Sequence, residues 1–191
     1  MKNYIEIPKI FLCSETGTPI EHCMLCSRFL LADGTLYFIE KSVRQCAELN
    51  AKEVIFEYAI CLQCSIKMNA SISAKSRRRI SEYLSKHGRF EERRINLMQQ
   101  DEPDPGRWID RCLVRDTPIA GTEEYQLVAQ FEGRNMLLHD MPFALSREAI
   151  DELTHLLSAR SLGEMDDFLG KYFSGPPELA SLLRKRPPVL V

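Results

Sequence analysis

Two pairs of cysteines are the part of this sequence whose residue types and spacing could do chemistry. Both have the form Cys-x-x-Cys, and they are Cys23 with Cys26 and Cys61 with Cys64. Four thiolates in two such pairs are the ligand set of a closed, tetrahedral structural zinc site. Such a site leaves no coordination position for a substrate, so it predicts how the chain is held together and not a reaction. We expect one structural Zn²⁺.

Two other uses of these cysteines are open. A Cys-x-x-Cys pair at a helix start can be a redox dithiol, as in thioredoxin-like motifs, which makes a thiol redox sensor one alternative. A thiol oxidoreductase does not need the second pair, and this favours zinc. An iron–sulfur cluster takes the same ligands but is less favoured by a hairpin-rich sequence. The remaining candidate ligands are His22, as a replacement, and Cys13, Cys46 and Cys112, which we expect to be small buried hydrophobic residues.

Hydrophobic periodicity predicts the elements that position these cysteines. A strand is expected at residues 5–13, and Asp33-Gly34 predicts a hairpin between residues 29–31 and 36–39. Residues 41–50 are ambiguous and could form a short helix. Residues 54–60 form a strand rich in β-branched and aromatic side chains that leads into Cys61. From Leu62 the period is helical as far as residue 87, where Gly88 could supply a left-handed cap.

This order, in which a Cys-x-x-Cys turn and a hairpin precede a helix that begins at the second pair, resembles the treble-clef class of zinc fingers. The resemblance covers roughly residues 20–88 and depends on the four cysteines and the element order. It implies that the turn supplies two zinc ligands and the helix N-terminus the other two. The long segment between the pairs then implies an insertion, around residues 41–53.

The C-terminal half has a different pattern. Apolar residues alternate over 125–131, and a Gly-containing turn leads to a second strand at 136–139. Ser146 predicts the N-cap of a helix, Ser161 with Glu164 forms a capping box, and residues 179–183 could form a last short helix. We expect a small hairpin covered by three helices. We see no internal repeat beyond the two cysteine pairs.

These patterns predict an α+β fold in two domains. The polar, proline-containing segment near residues 99–106 suggests a linker. We divide the 191 residues into a zinc-binding domain (1–100), a linker (101–107) and a small α+β domain (108–191).

Charge argues against a dedicated nucleic-acid binder. Residues 20–100 carry thirteen basic and nine acidic side chains, residues 101–191 carry ten and sixteen, and four thiolates around Zn²⁺ subtract two charges from the first part. Lys75, Arg78, Lys86 and Arg89 nevertheless lie close to one predicted helical line. They are candidates for binding a partner, and a nucleic-acid-binding regulator is the second alternative.

Catalytic motifs are not recognisable. Glu152-x-x-His155 has the spacing of a di-iron helix motif, but the partner motif is missing. Residues 27–60 contain no histidine, whereas treble-clef nucleases place a catalytic histidine there. The single Trp108 has no neighbouring aromatics and is expected to be a packing anchor.

The N-terminal residues lack the apolar core of a signal peptide, and no apolar run approaches the length of a membrane span. We therefore expect a cytoplasmic, non-catalytic, zinc-stabilised module that binds a protein partner.

Overall fold

A computed structural model describes residues 4–46, 51–99 and 104–172. In these residues the fold is α+β, as predicted, with six strands in one antiparallel sheet and six α-helices. The strands are β1 (Tyr4–Glu6), β2 (Leu36–Cys46), β3 (Ala51–Cys61), β4 (Glu124–Glu132), β5 (Asn135–Leu137) and β6 (Phe143–Ser146). The helices are α1 (Leu62–Ser71), α2 (Ala74–His87), α3 (Phe90–Met98), α4 (Pro105–Ile109), α5 (Arg147–His155) and α6 (Ala159–Tyr172). No helix of the described part is long and apolar enough to cross a membrane.

The two longest strand pairings lie at the centre of the sheet. β2 pairs along one edge with β3 and along the other with β4, and Glu40 lies opposite Val128 in the pairing of β2 with β4. The far edge of β4 is shared by β5 at one end and β6 at the other, and β1 follows β5. Strands of both predicted domains therefore belong to one sheet.

The buried side chains form one hydrophobic cluster that also includes residues from both predicted domains. Trp108 is only 1% exposed, in agreement with a packing role, and the Arg93 guanidinium lies 5.4 Å from the centre of its ring. α4 begins inside the predicted linker, whose residues 101–103 lie outside the described part. Whether residues 1–100 and 108–191 fold separately stays a prediction.

Several predicted elements of the N-terminal half are wrong. The predicted strand 5–13 is a three-residue strand followed by a 3₁₀ turn at Lys9–Phe11, because Pro8 has no amide to donate to a neighbouring strand. Gly34 does turn the chain, with φ of 71°, but the hairpin consists of β2 and β3. The possible helix at 41–50 is the end of β2 as far as Cys46, and residues 47–50 lie outside the described part.

The helix predicted from Leu62 to residue 87 is two helices, α1 and α2. Ile72 has an extended backbone and is 3% exposed, so burial of its side chain coincides with the break. Ser73 then caps α2, since its hydroxyl accepts a hydrogen bond from the Ser76 amide at 3.2 Å.

Most of the elements predicted for the C-terminal half are present in the structure. β4, β5 and α5 lie where the sequence placed them, with Ser146 at the N-cap of α5. α6 begins before the predicted capping box, and the Ser158 hydroxyl accepts from the Ser161 amide. β6 was not predicted, and residues 179–183 lie outside the described part.

The expectation of no internal repeat is also wrong. The order of strand, helix and helix in β3–α1–α2 returns in β6–α5–α6, and residues 58–87 align with residues 143–172 without a gap. The sequence I-S-A-K-S at 72–76 matches L-S-A-R-S at 157–161. Ser73 and Ser76 of the first segment hydrogen-bond with Ser158 and Ser161 of the second, where the starts of α2 and α6 meet.

Candidate metal centre

The four cysteines of the two Cys-x-x-Cys pairs lie together in the structure. The sulfurs of Cys23, Cys26, Cys61 and Cys64 are all within 4.8 Å of one another. The Cys26 and Cys61 sulfurs are 3.7 Å apart. Four Zn–S bonds of about 2.3 Å in a tetrahedron place the sulfurs about 3.8 Å apart, so the donor set fits a tetrahedral metal ion. Cys26 is exposed and the other three are buried.

A tight turn positions the first pair. The Cys23 amide donates to the Arg28 carbonyl, and the Ser27 amide donates back to the Cys23 carbonyl, both at 2.9 Å. Ser27 has φ of 58°, in the left-handed region that few non-glycine residues adopt. We call residues 23–28 the first cysteine turn. The Met24 amide donates to the Ala59 carbonyl, which fixes this turn against β3.

The end of β3 and the start of α1 position the second pair. Cys61 is the last residue of β3, lies opposite Tyr37 of β2, and is the N-cap of α1. Cys64 lies in the first turn of that helix, where free backbone amides and the helix dipole favour thiolates. The Cys61 amide donates to the Cys23 sulfur at 3.4 Å, so the two pairs are also in direct contact.

The surroundings affect the four thiols unequally. The pKa of Cys26 is lowered to about 7, chiefly because the Arg28 amide donates to its sulfur. Burial raises the pKa of Cys61 and of Cys64. Four thiolates at such short range repel one another, and a bound divalent cation offsets that charge. The helix N-terminus was expected to stabilise thiolates, but the amides of Arg28 and Cys61 as donors to Cys26 and Cys23 were not predicted, because backbone groups carry no residue-type signature.

Other candidate ligands lie apart from this centre. His22 packs edge-on against Phe29 and is not part of the cluster. Cys112 is buried, as predicted, whereas Cys13 and Cys46 are only half-buried. Glu152 accepts hydrogen bonds from Tyr83 and Arg115. Within the described ranges, no other group of three or more His, Cys, Asp or Glu side chains lies at metal-binding distance.

The four basic candidates for partner binding lie in two places. Lys75, Arg78 and Lys86 are exposed on α2, and Arg78 lies 3.7 Å from Glu82. Arg89 follows the end of α2 and forms ion pairs with Glu92 and Asp116. The structure therefore brings the first three together on one helix, and their role in binding stays a prediction.

Comparisons with protein-family models, curated proteins and solved structures find no match to this chain.

Proposed function

We propose that this protein is a non-catalytic protein-interaction module whose fold is stabilised by Zn²⁺ bound to Cys23, Cys26, Cys61 and Cys64. The observation that carries the proposal is the convergence of the four sulfurs, three of them buried, at the junction of sheet and helix. Four protein ligands complete the coordination of zinc, so the metal has a structural role.

The arrangement is treble-clef-like in our interpretation. The first cysteine turn supplies two ligands, the β2–β3 hairpin follows, and the start of α1 supplies the other two. Bound zinc contributes a tetrahedral cross-link between four thiolates. The Cys61 amide orients the Cys23 sulfur, and the Arg28 amide stabilises charge on Cys26. Metal binding would therefore join the turn, the hairpin and α1 into one unit.

The proposed docking surface is the exposed basic side of α2, defined by Lys75, Arg78 and Lys86. We infer an acidic protein surface as its partner, since opposite charges favour both encounter and orientation. The aligned helix α6 supports this assignment by contrast. It has basic residues, Arg160 and Lys171, at the positions of Lys75 and Lys86, but glycine at the position of Arg78, and it also carries Glu164, Asp166 and Asp167. A net positive charge is therefore found on α2 and not on α6.

A pair of charge reversals tests the docking surface. In affinity capture from cells of the native organism, Lys75→Glu/Lys86→Glu should lose the partner that the wild-type protein retains. The matched control is Arg160→Glu/Lys171→Glu, which makes the same charge change at the aligned, exposed positions of α6. Equal capture by the α2 variant and the wild type would contradict the proposed surface.

Nucleic acid is the competing occupant of the same basic side. We expect only non-specific binding of DNA or RNA, with a Kd of about 10⁻⁴ M or weaker at physiological salt. Glu82 lies beside Arg78 within the basic side, and residues 101–191 carry more acidic than basic side chains. Sub-micromolar binding at moderate salt that Arg78→Glu abolishes would instead support a nucleic-acid-binding regulator.

A thiol redox sensor is the second candidate, favoured by the exposure of Cys26. An oxidant would reach this sulfur before its buried neighbours. Zinc release and a change in circular dichroism under mild peroxide would support the sensor. Retention of zinc under the same conditions would support the structural role.

A further inference from the structure

The C-terminal half contains a second turn built like the first cysteine turn. In residues 112–117, the Cys112 amide donates to the Thr117 carbonyl at 2.8 Å and the Asp116 amide donates back to the Cys112 carbonyl at 2.9 Å. Asp116 has φ of 54°, close to the 58° of Ser27. Cys112 thus corresponds to Cys23, and Arg115 corresponds to Cys26.

Turn 13–18 has the same two backbone hydrogen bonds, so a turn of this shape is not by itself a repeat. The evidence for a repeat is that the second turn makes the same contacts with the sheet as the first cysteine turn does. The Leu113 amide donates to the Ala144 carbonyl of β6, as the Met24 amide does to Ala59 of β3. An isolated antiparallel β-bridge also flanks each turn. It joins residues 22 and 29 at the first turn and residues 111 and 118 at the second.

The strand and helix after the second turn also match. Ser146 ends β6 and caps α5, and lies opposite Tyr125, just as Cys61 ends β3, caps α1 and lies opposite Tyr37. The Ser146 amide donates to the Cys112 sulfur at 3.3 Å, as the Cys61 amide does to the Cys23 sulfur at 3.4 Å. Ser146 therefore corresponds to Cys61, and Ala149, three residues later, corresponds to Cys64.

The two units are joined by their second helices. Phe168 of α6 packs against Tyr58 of β3, with ring centres 6.0 Å apart, while Tyr83 of α2 hydrogen-bonds to Glu152 of α5. Each second helix thus contacts the other unit. This exchange is the arrangement expected of two copies of one unit packed about an approximate two-fold axis.

Three of the four ligand positions in the second unit hold side chains that do not bind zinc in structural sites. The Arg115 side chain forms an ion pair with Glu152, and Ala149 is fully buried. The Cys112 sulfur is left as a buried thiol that accepts the Ser146 amide. At the positions where the first unit has four thiolates, the second unit thus has a buried alanine, an ion-paired arginine, and a serine whose amide contacts one thiol.

We propose that residues 110–172 are a second, metal-free copy of the metal-binding unit, with ligand positions at Cys112, Arg115, Ser146 and Ala149. The backbone of this copy retains the geometry for a four-cysteine zinc site, and three substitutions are sufficient to restore it. The proposal depends on the backbone match and not on zinc binding by the first unit.

The test is the zinc content of the full chain carrying Arg115→Cys/Ser146→Cys/Ala149→Cys. Expressed with zinc, this variant should contain one zinc more per chain than the wild type. When zinc is replaced by cobalt, its Co²⁺–thiolate charge-transfer absorption per chain should exceed that of the wild type by the intensity of one four-thiolate site. The matched control Arg115→Ser/Ala149→Ser places hydroxyl groups instead of thiols at two of the positions and should contain the same zinc as the wild type. The gain in the cysteine variant is measured against the wild type, so it is expected whether or not the first site holds zinc, and this separates the two proposals.

A second variant tests the proposal if the variant with four cysteines in the second unit does not fold. Arg115→His/Ser146→Cys/Ala149→Cys creates a Cys₃His set, which also binds structural zinc. We expect the same gain in zinc. A folded variant with the zinc content of the wild type would overturn the proposal, and so would failure of both variants to fold with zinc present.

Discussion

Among single residues, Ser27 has the most restrictive backbone requirement at the candidate metal centre. Its φ of 58° is favourable for glycine and strained for β-branched side chains. We expect Ser27→Gly to leave the unfolding free energy unchanged or raise it by up to about 1 kcal/mol, and Ser27→Val to lower it by about 1–3 kcal/mol. Urea unfolding of the zinc-loaded variants measures both.

Exposed Ser81 on α2 is the control for Ser27. Its backbone is helical, so there glycine and not valine should be the more destabilising replacement. There glycine should cost about 0.5–1 kcal/mol and valine close to nothing. Equal effects of glycine and valine at position 27 would contradict the positive φ.

The buried pair Glu40–Tyr58 tests the repeat at the level of side chains. The Tyr58 hydroxyl donates to the Glu40 carboxylate at 2.6 Å, and the corresponding cross-strand pair in the second unit is Val128 with Phe143. Tyr58→Phe alone should lower the unfolding free energy by about 1–3 kcal/mol, because a buried carboxylate loses a donor. The double variant Glu40→Val/Tyr58→Phe should recover part of that loss, since the second unit packs an apolar pair at the corresponding positions.

Thermal and urea unfolding of the two variants give the comparison. A double variant that is less stable than Tyr58→Phe would mean that the two pairs are not interchangeable.

Among the elements, the starts of α2 and α6 depend on each other. The Ser158 amide donates to the Ser76 hydroxyl, and the Ser73 amide donates to the Ser161 hydroxyl. Ser76→Ala and Ser161→Ala should each lower the unfolding free energy by about 1–2 kcal/mol, because each leaves an amide of the opposite segment without its partner. Exposed Ser85→Ala on α2 is the control and should have little effect. A clear difference between the two buried variants would argue against equivalent roles.

Local patterns predicted the elements with regular periodicity and missed those set by tertiary contacts. β4 and the N-cap of α5 were predictable because alternation and a capping serine are local. The break at Ile72 was not, because a buried isoleucine continues a helical pattern and the stop comes from contacts between Ser73 and the distant Ser158. β6 was missed because four residues carry too short a pattern.

The cysteine cluster was the most predictable part of the candidate site, since the ligand types themselves define its spacing. The repeat was missed because three of the four corresponding positions, Arg115, Ser146 and Ala149, do not carry cysteine, and the match of residues 72–76 with residues 157–161 is short. What the two units share is mainly backbone hydrogen bonding and strand register, which a sequence does not display.

For the whole molecule, the shared sheet changes what metal removal should do. Structural zinc contributes roughly 10–16 kcal/mol of apparent binding free energy in small zinc-finger peptides, more than many domains have as net stability. Because β2 pairs along its length with β4, loss of the β2–β3 unit exposes an edge of the second unit. We expect a strong chelator to increase amide hydrogen exchange in β4 as well as in β2 and β3. Unchanged protection of β4 alongside loss in β3 would instead indicate two independent domains.

The most direct test of the central claim is the zinc content of the purified wild-type protein and of Cys23→Ser/Cys61→Ser, measured by elemental analysis after purification without chelators. We predict about one zinc per chain in the wild type and none in the double variant, because the variant keeps only one thiolate from each pair. A wild-type protein without zinc, or a double variant that retains a full equivalent, would contradict a zinc site formed by Cys23, Cys26, Cys61 and Cys64.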